Sequence, residues 1–176
     1  MDKTRTTGCF DSNDVMAYIL GVCEKNDIPW NATKAQKLMY CCYGTILAAF
    51  DEKLTEETPQ AWQYGPVFPR TFNGLRKGKI EAGNDHGFSQ NCDQKWLPLI
   101  DQTVRTFGKF SASQLSTWSH EPGSPWARAT RNGAELLVQI PSQYIKDYFE
   151  KMIIRGSFSL RGPRSKIAPG SASSLS

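Results

Sequence analysis

Cysteine and histidine are the side chains of this sequence best suited to nucleophilic catalysis, and histidine is scarce. The 176 residues include five cysteines and two histidines. A pair such as Cys92 with His120 would in principle supply a thiolate and its general base. No nucleophile elbow, orienting carboxylate motif or cysteine-protease signature accompanies the pair. We therefore expect a protein that is not an enzyme and has no catalytic residue, with a small Cys/His hydrolase as the alternative.

Metal and cofactor sites require characteristic spacings, and the sequence has none of them. The cysteines stand at positions 9, 23, 41, 42 and 92 without any Cys-x-x-Cys pair, whereas structural zinc needs about four ligands. Neither a G-x-G-x-x-G fingerprint nor a phosphate-binding P-loop occurs. We expect no metal and no cofactor, and we expect free thiols in a reducing compartment, which makes the cytoplasm the default location.

Aromatic residues in rigid turns suggest recognition instead of catalysis. Residues 61–70 read AWQYGPVFPR and residues 119–126 read SHEPGSPW, so each stretch combines aromatic residues with proline and glycine. Such turns present tyrosine and tryptophan at low entropic cost, and both residues are enriched at binding hot spots. Burial in the core is the simpler expectation for Trp62 and Trp126, and a structural hydrogen bond to a helix carbonyl is the simpler one for His120. The candidate partner-binding residues are Lys34, Lys37, Trp62, Tyr64, Phe68, Arg70, His120 and Trp126.

The charge distribution argues against nucleic-acid binding by the folded part of the chain. The formal net charge is +4, but four of the 21 basic residues follow Ile154, where no acidic residue occurs. The preceding residues are therefore neutral overall, whereas nucleic-acid-binding domains usually carry a basic face. DNA-bound autorepression would have to use the basic tail alone. No apolar run approaches the roughly 18 residues of a membrane span, and no secretory signal is visible.

Hydrophobic periodicity predicts a mainly α fold: a compact single domain of about seven helices with a minor two-stranded β element. Residues 1–11 are expected to be a flexible N-terminus, 12–154 a folded domain, and 155–176 a disordered basic tail. Residues 79–82 are expected to be extended and to pair with 59–63, residues 83–92 to form a mobile loop, and residues 134–140 to form a strand. The predicted helices cover 13–25, 31 or 33 to 50, 69–77, 93–107, a short helix after Ser111, one from Pro125 to about 132, and a last helix from Pro141. The expected N-caps are one of Ser12, Asn13 and Asp14 for the first helix, Ser111 in a capping box with Gln114 for the fifth, and Ser124 for the sixth. A rigid turn is expected at Gly65-Pro66.

Four blocks of the sequence resemble the Panacea domain, the family of SocA-like antitoxins. Residues 33–40 resemble its K-L-Q-K-L-L-Y helix, residues 61–69 its A-W-x-Y-G-P-V-x-P signature, and residues 111–126 its L-S-x-x-T-H-x-x-G-S-P-W block. The fourth is Ile140-Pro141 before the last helix. Ala35 replaces a usual leucine and Ser119 a usual threonine, which we interpret as tolerated packing changes.

The resemblance implies a non-enzymatic protein that neutralises a cognate toxin by direct binding. In one branch of the family it implies an adaptor that delivers the toxin to an ATP-dependent protease. Such domains also occur in phage and prophage genes, so the alternative is the same domain repurposed to bind a host protein. The loop 79–93 and the tail match no known block, and partner choice is expected to depend on them. The resemblance predicts neither the identity of the toxin nor the oligomeric state.

Overall fold

The computed structural model describes residues 10–156, and within them the chain forms eight helices and one two-stranded antiparallel sheet. The predicted mainly helical fold with a minor β element is confirmed. The flexible N-terminus and the disordered tail expected from the sequence lie almost entirely outside the described residues. In chain order the elements are α1 (Ser12–Lys25), α2 (Ala32–Phe50), β1 (Gln60–Trp62), β2 (Gly65–Val67), α3 (Pro69–Arg76), α4 (Phe88–Asn91), α5 (Trp96–Phe107), α6 (Ala112–Ser119), α7 (Pro125–Ala129) and α8 (Ser142–Gly156).

Helix α2 is the central element of the fold. Asn31 caps its N-terminus by accepting a hydrogen bond from the Lys34 amide at 2.9 Å. From Lys34 to Leu47 every residue of the helix is buried, because α1, α3, α5, α6, α8 and β2 all pack against it. A helix buried on all sides serves as the support on which the other elements are positioned.

Capping residues account for most of the helix starts that the sequence predicted. Ser111 and Gln114 form the expected capping box at the start of α6, with Gln114 Oε1 accepting from the Ser111 amide at 2.9 Å. Ser124 caps α7 with Pro125 in the first turn, as predicted. Helix α1 is capped by Asp11 instead of by a residue of the predicted 12–14 set.

The β element is a hairpin in which β1 pairs with β2, with Trp62 opposite Gly65. The prediction that 79–82 would pair with 59–63 is therefore wrong, because β1 pairs with β2, the strand next to it in sequence. The tight turn lies at Gln63–Tyr64, two residues before the predicted one. The predicted strand at 134–140 is reduced to an isolated bridge, in which the Ala61 amide donates to the Val138 carbonyl oxygen at 2.8 Å.

Residues 83–92 have more structure than the sequence suggested. They contain the short helix α4, whose Phe88 is buried and packs edge-to-face on Phe10 with the ring centroids 5.1 Å apart. Helix α5 consequently starts at Trp96, three residues later than predicted. Within residues 10–156, no helix combines the length and the apolar composition that crossing a membrane requires.

Candidate functional site

An apolar groove lies between the N-terminal half of α2 and the hairpin. Its volume is about 520 Å³, within the roughly 300–1,000 Å³ range of ligand pockets. Helix α3 and the segment just before the β-bridge complete its walls. We call it the hairpin groove, and it is lined by Ala32, Thr33, Gln36, Lys37, Trp62, Gln63, Tyr64, Val67, Phe72, Leu136 and Leu137.

The rim of the hairpin groove carries the exposed large hydrophobic side chains of the described residues. Tyr64 is 67% exposed, Leu137 65% and Leu136 42%. Scattered exposed apolar residues are ordinary, but a contiguous group bordering one concavity marks an interaction site. The groove is therefore the strongest candidate for a binding surface within residues 10–156.

Leu137 is held in an unusual backbone conformation at this rim. Its φ of 64° lies in the left-handed region, which is disfavoured for a bulky residue. The Leu137 amide donates to the Ala61 carbonyl oxygen at 2.8 Å, so pairing with β1 fixes the conformation. Strained residues of this kind cluster at functional sites, and here the strain coincides with the exposure of an apolar side chain.

Three side chains from α6, its C-cap and α7 fix the hairpin turn by binding consecutive backbone carbonyls. Trp126 Nε1 donates to the Trp62 carbonyl oxygen, and Ser116 Oγ donates to the Tyr64 carbonyl oxygen, each at 2.8 Å. Between them, Nε2 of His120 lies 2.8 Å from the carbonyl oxygen of Gln63. The His120 ring also reaches the Ser116 carbonyl oxygen through Nδ1 and packs on Trp126 with ring centroids 4.1 Å apart.

These contacts explain why the two aromatic turns occur in the same sequence. The stretch 119–126 supplies two of the three contacts that orient the turn within 61–70, those of His120 and Trp126, so that Tyr64 projects from a rigid support. The helix-carbonyl bond expected for His120 is present. The second contact, between Nε2 and the Gln63 carbonyl oxygen of the hairpin, has no local signal in the sequence.

Gly65 allows the hairpin to approach α2 and α6 closely. Its φ is 110°, and a Cβ atom built there would lie 2.6 Å from Cε of Lys37 and would also overlap the Ser119 hydroxyl. Gln36 fixes the other end of β2, because its side-chain oxygen accepts from the Phe68 amide and its side-chain nitrogen donates to Thr71 Oγ1, both at 2.8 Å. The apolar walls of the groove are thus held by buried polar contacts.

Lys37 is the charged residue among those that line the groove. It is 1% exposed, and its Nζ donates to the Pro66 carbonyl oxygen at 3.2 Å. Burial lowers the pKa of Lys37 to about 8, with a smaller opposing influence from Cys41. The groove therefore combines apolar walls with a weakly solvated positive charge.

The remaining partner-binding candidates fall into buried and exposed groups. Phe68 and Lys34 are buried and offer no surface to a partner in this structure, and Lys34 Nζ donates to the Gly108 carbonyl oxygen at the end of α5. Trp126 is buried, as the simpler expectation had it, whereas Trp62 is half-buried and lines the groove. Arg70 is exposed, but its guanidinium forms a two-point ion pair with Asp11.

The cysteine–histidine alternative finds little geometric support. Cys92 is buried at the end of α4, and burial raises its thiol pKa to about 11, which disfavours the thiolate at neutral pH. Within residues 10–156, the polar contacts of the His120 ring are the carbonyl oxygens described above and Ser119 Oγ. No group of three or more His, Cys, Asp or Glu side chains suited to a metal ion occurs within residues 10–156.

Sequence reasoning missed Leu136, Leu137, Gln36 and Ser116. The two leucines carry a signal, an adjacent apolar pair after a turn sequence, but the same pattern predicts the strand at 134–140. Gln36 and Ser116 had none, because polar residues inside helices normally face water.

The structure thus defines a small α-helical domain in which a β-hairpin, held by side-chain contacts, lies beside an apolar groove. The family profile described as "Antitoxin SocA-like, Panacea domain" matches residues 36–127. The curated protein Antitoxin SocA of Caulobacter vibrioides (strain NA1000 / CB15N) is 30% identical over 154 residues, covering 79% of this chain and 82% of the relative. No solved structure matches the chain. The chain belongs to the SocA-like antitoxin family with a Panacea domain.

The family match covers the support of the groove more fully than its rim. Residues 36–127 include Gln36, Lys37, the hairpin, and the residues that brace the hairpin turn. Leu136 and Leu137 lie beyond the matched region, as do Ala32 and Thr33. The architecture that holds the hairpin is therefore the part described by the family.

Proposed function

We propose that this protein is an antitoxin that neutralises a cognate toxin by binding it directly, with the hairpin groove as the contact surface. The observation that carries the proposal is the convergence of Tyr64, Leu136 and Leu137 on the rim of one groove. Membership of an antitoxin family supports a protein partner, and the location of the rim supports where that partner binds.

The proposed role is non-catalytic and cytoplasmic. The buried, weakly nucleophilic Cys92 and the use of His120 to hold the hairpin support the non-catalytic role. The free cysteines support a reducing compartment. Binding at the groove would serve either occlusion of the toxin or its delivery to an ATP-dependent protease. Measuring the half-life of the toxin in cells with and without the protease distinguishes these two outcomes.

Co-purification tests the proposal directly. The tagged full chain is co-expressed with the product of the neighbouring gene, which is also expressed alone. We expect the neighbour to be toxic alone, to co-purify with this protein, and to lose its toxicity in its presence. A non-toxic neighbour that forms no complex would contradict the antitoxin role and favour a domain that binds a host protein, which a pull-down from host lysate would then identify.

The contact surface is tested with a matched pair of variants. Leu137→Asn removes the apolar rim side chain, and asparagine tolerates the left-handed backbone better than leucine does. Lys109→Asn introduces the same residue at an exposed position outside the groove. We expect Leu137→Asn to weaken the complex at least tenfold and Lys109→Asn to leave it unchanged.

A further inference from the structure

Lys37 has hydrogen-bonding capacity that the fold does not use. A lysine ammonium group carries three N–H donors, and the structure gives Nζ one protein acceptor within residues 10–156, the Pro66 carbonyl oxygen. The side chain is almost completely buried, which makes unsatisfied donors costly. Because the Lys37 side chain also lines the hairpin groove, an acceptor that enters the groove would complete its hydrogen bonding.

The other buried lysine shows what a structural role looks like. Lys34 Nζ donates to the carbonyl oxygen of Gly108, the C-cap of α5, where free helix carbonyls carry partial negative charge. Lys37 has no such helix end, since its acceptor belongs to β2. Burial lowers the pKa of both lysines, but only Lys37 lines the groove.

The groove itself supplies no counter-charge to Lys37. Its lining residues from α2, the hairpin, α3 and the 136–137 segment include no aspartate and no glutamate. Cys41, one turn along α2, stays a neutral thiol because burial raises its pKa. Tyr64 on the rim is the titratable side chain of the hairpin, and α6 presents the Ser119 hydroxyl near Cε of Lys37.

We propose that Lys37 receives a carboxylate from an apolar segment of the partner protein, whose apolar side chains fill the rest of the hairpin groove. The inference rests on the proposed function and specifies the chemistry of the partner segment. An ammonium–carboxylate hydrogen bond is stronger between apolar walls than in water. The chain's own residues 157–176 do not supply the carboxylate side chain, because they contain arginine and lysine but neither aspartate nor glutamate.

Binding of this kind depends on pH in a defined direction. The pKa of Lys37 is about 8 in the free protein, and a bound carboxylate raises it. Below pH 8 the lysine is already charged, so affinity is at its maximum. Above pH 8 the bound state must take up a proton, and affinity falls by up to about tenfold per pH unit until the pKa in the complex is reached.

Peptide selection with the purified full chain tests the inference. The probe is a displayed library of random dodecapeptides. A selected peptide is counted only if it binds the native protein and fails to bind the Leu137→Asn variant. We expect these peptides to carry aspartate or glutamate next to apolar residues. Replacing that acid by its amide should weaken binding to the native protein at least tenfold and should have no effect on binding to Lys37→Met. Lys109→Met, which removes one positive charge outside the groove, should behave like the native protein.

Several results would overturn the inference. The first is that no selected peptide depends on Leu137, or that those which do carry no acidic residue. The second is that replacing the acid by its amide weakens binding equally to the native protein and to Lys37→Met. The third is a dimer that Leu137→Asn dissociates, which would make a second copy of the chain the occupant of the groove. Lys37→Gln is a second variant in case Lys37→Met does not fold. None of these results affects the co-purification, so failure of the carboxylate inference is distinguishable from failure of the antitoxin role.

Discussion

At the residue scale, Lys37 connects the stability of the fold to the chemistry of the groove. The ammonium group prefers water, and burial at the groove wall lowers its pKa from 10.5 to about 8. Since one pKa unit corresponds to about 1.4 kcal/mol, the charged form of Lys37 is disfavoured in the native state by about 3 kcal/mol relative to the unfolded chain.

The change Lys37→Met is expected to stabilise the free protein. At pH 7 the lysine is charged in both the folded and the unfolded state, so removing it relieves the desolvation cost and raises the free energy of unfolding by about 1–3 kcal/mol. From pH 8 to 10.5 the native lysine loses its proton before the unfolded one does, so the native protein gains relative stability and the advantage of Lys37→Met shrinks. Urea unfolding of both proteins at pH 7 and pH 10 measures this. A destabilised Lys37→Met at pH 7 would contradict it.

The two histidines of the chain allow a second residue-scale test. His120→Ala removes two carbonyl contacts and a ring contact with Trp126, and is expected to lower the free energy of unfolding by about 1–3 kcal/mol. His86→Ala removes an exposed pairing with Asp14 and is expected to cost less than about 1 kcal/mol. Chemical unfolding of both variants gives the comparison. If His120→Ala were as stable as the native protein, the structural role of His120 would be contradicted and the hydrolase alternative would be favoured.

At the element scale, the hairpin functions as a unit with α2 and with the turn that follows α6. The sequence predicted the helices well because caps and apolar periodicity are local signals, as at Ser111 and Asn31. It misplaced the strand pairing because three-residue strands have almost no periodicity, and contacts with other elements determine their register. The groove was only partly predictable, since the positive φ of Leu137 and the burial of Lys37 depend on residues distant in sequence.

Gly65 is expected to be essential for seating the hairpin on α2. Gly65→Ala places a Cβ atom against Lys37 at a φ that favours glycine, and is expected to destabilise the fold by more than about 2 kcal/mol. Gly78→Ala is the matched control, because Gly78 also has a positive φ but nothing lies within 4 Å of its Cβ position. It is expected to cost about 1 kcal/mol. Thermal unfolding compares them, and equal losses would show that the close approach does not matter.

At the whole-molecule scale, the protein combines a rigid helical support with an exposed apolar edge. Hydrogen-bonding contacts of Gln36, His120 and Trp126 hold the hairpin, so little conformational entropy is lost when a partner binds. The family profile covers this support, whereas Leu136 and Leu137 on the rim lie outside it. We expect substitutions of the rim residues Leu136 and Leu137 to change which partner binds without changing the fold.

The affinity of the toxin complex shows whether the hairpin groove is the contact surface. Titration calorimetry with the co-purified toxin compares the native protein, Leu137→Asn and the control Lys109→Asn, after urea unfolding has confirmed equal stability. We expect Leu137→Asn to weaken the complex at least tenfold, while Lys109→Asn and the native protein bind equally. Unchanged affinity of a folded Leu137→Asn variant would contradict the claim that the hairpin groove is the toxin-binding surface.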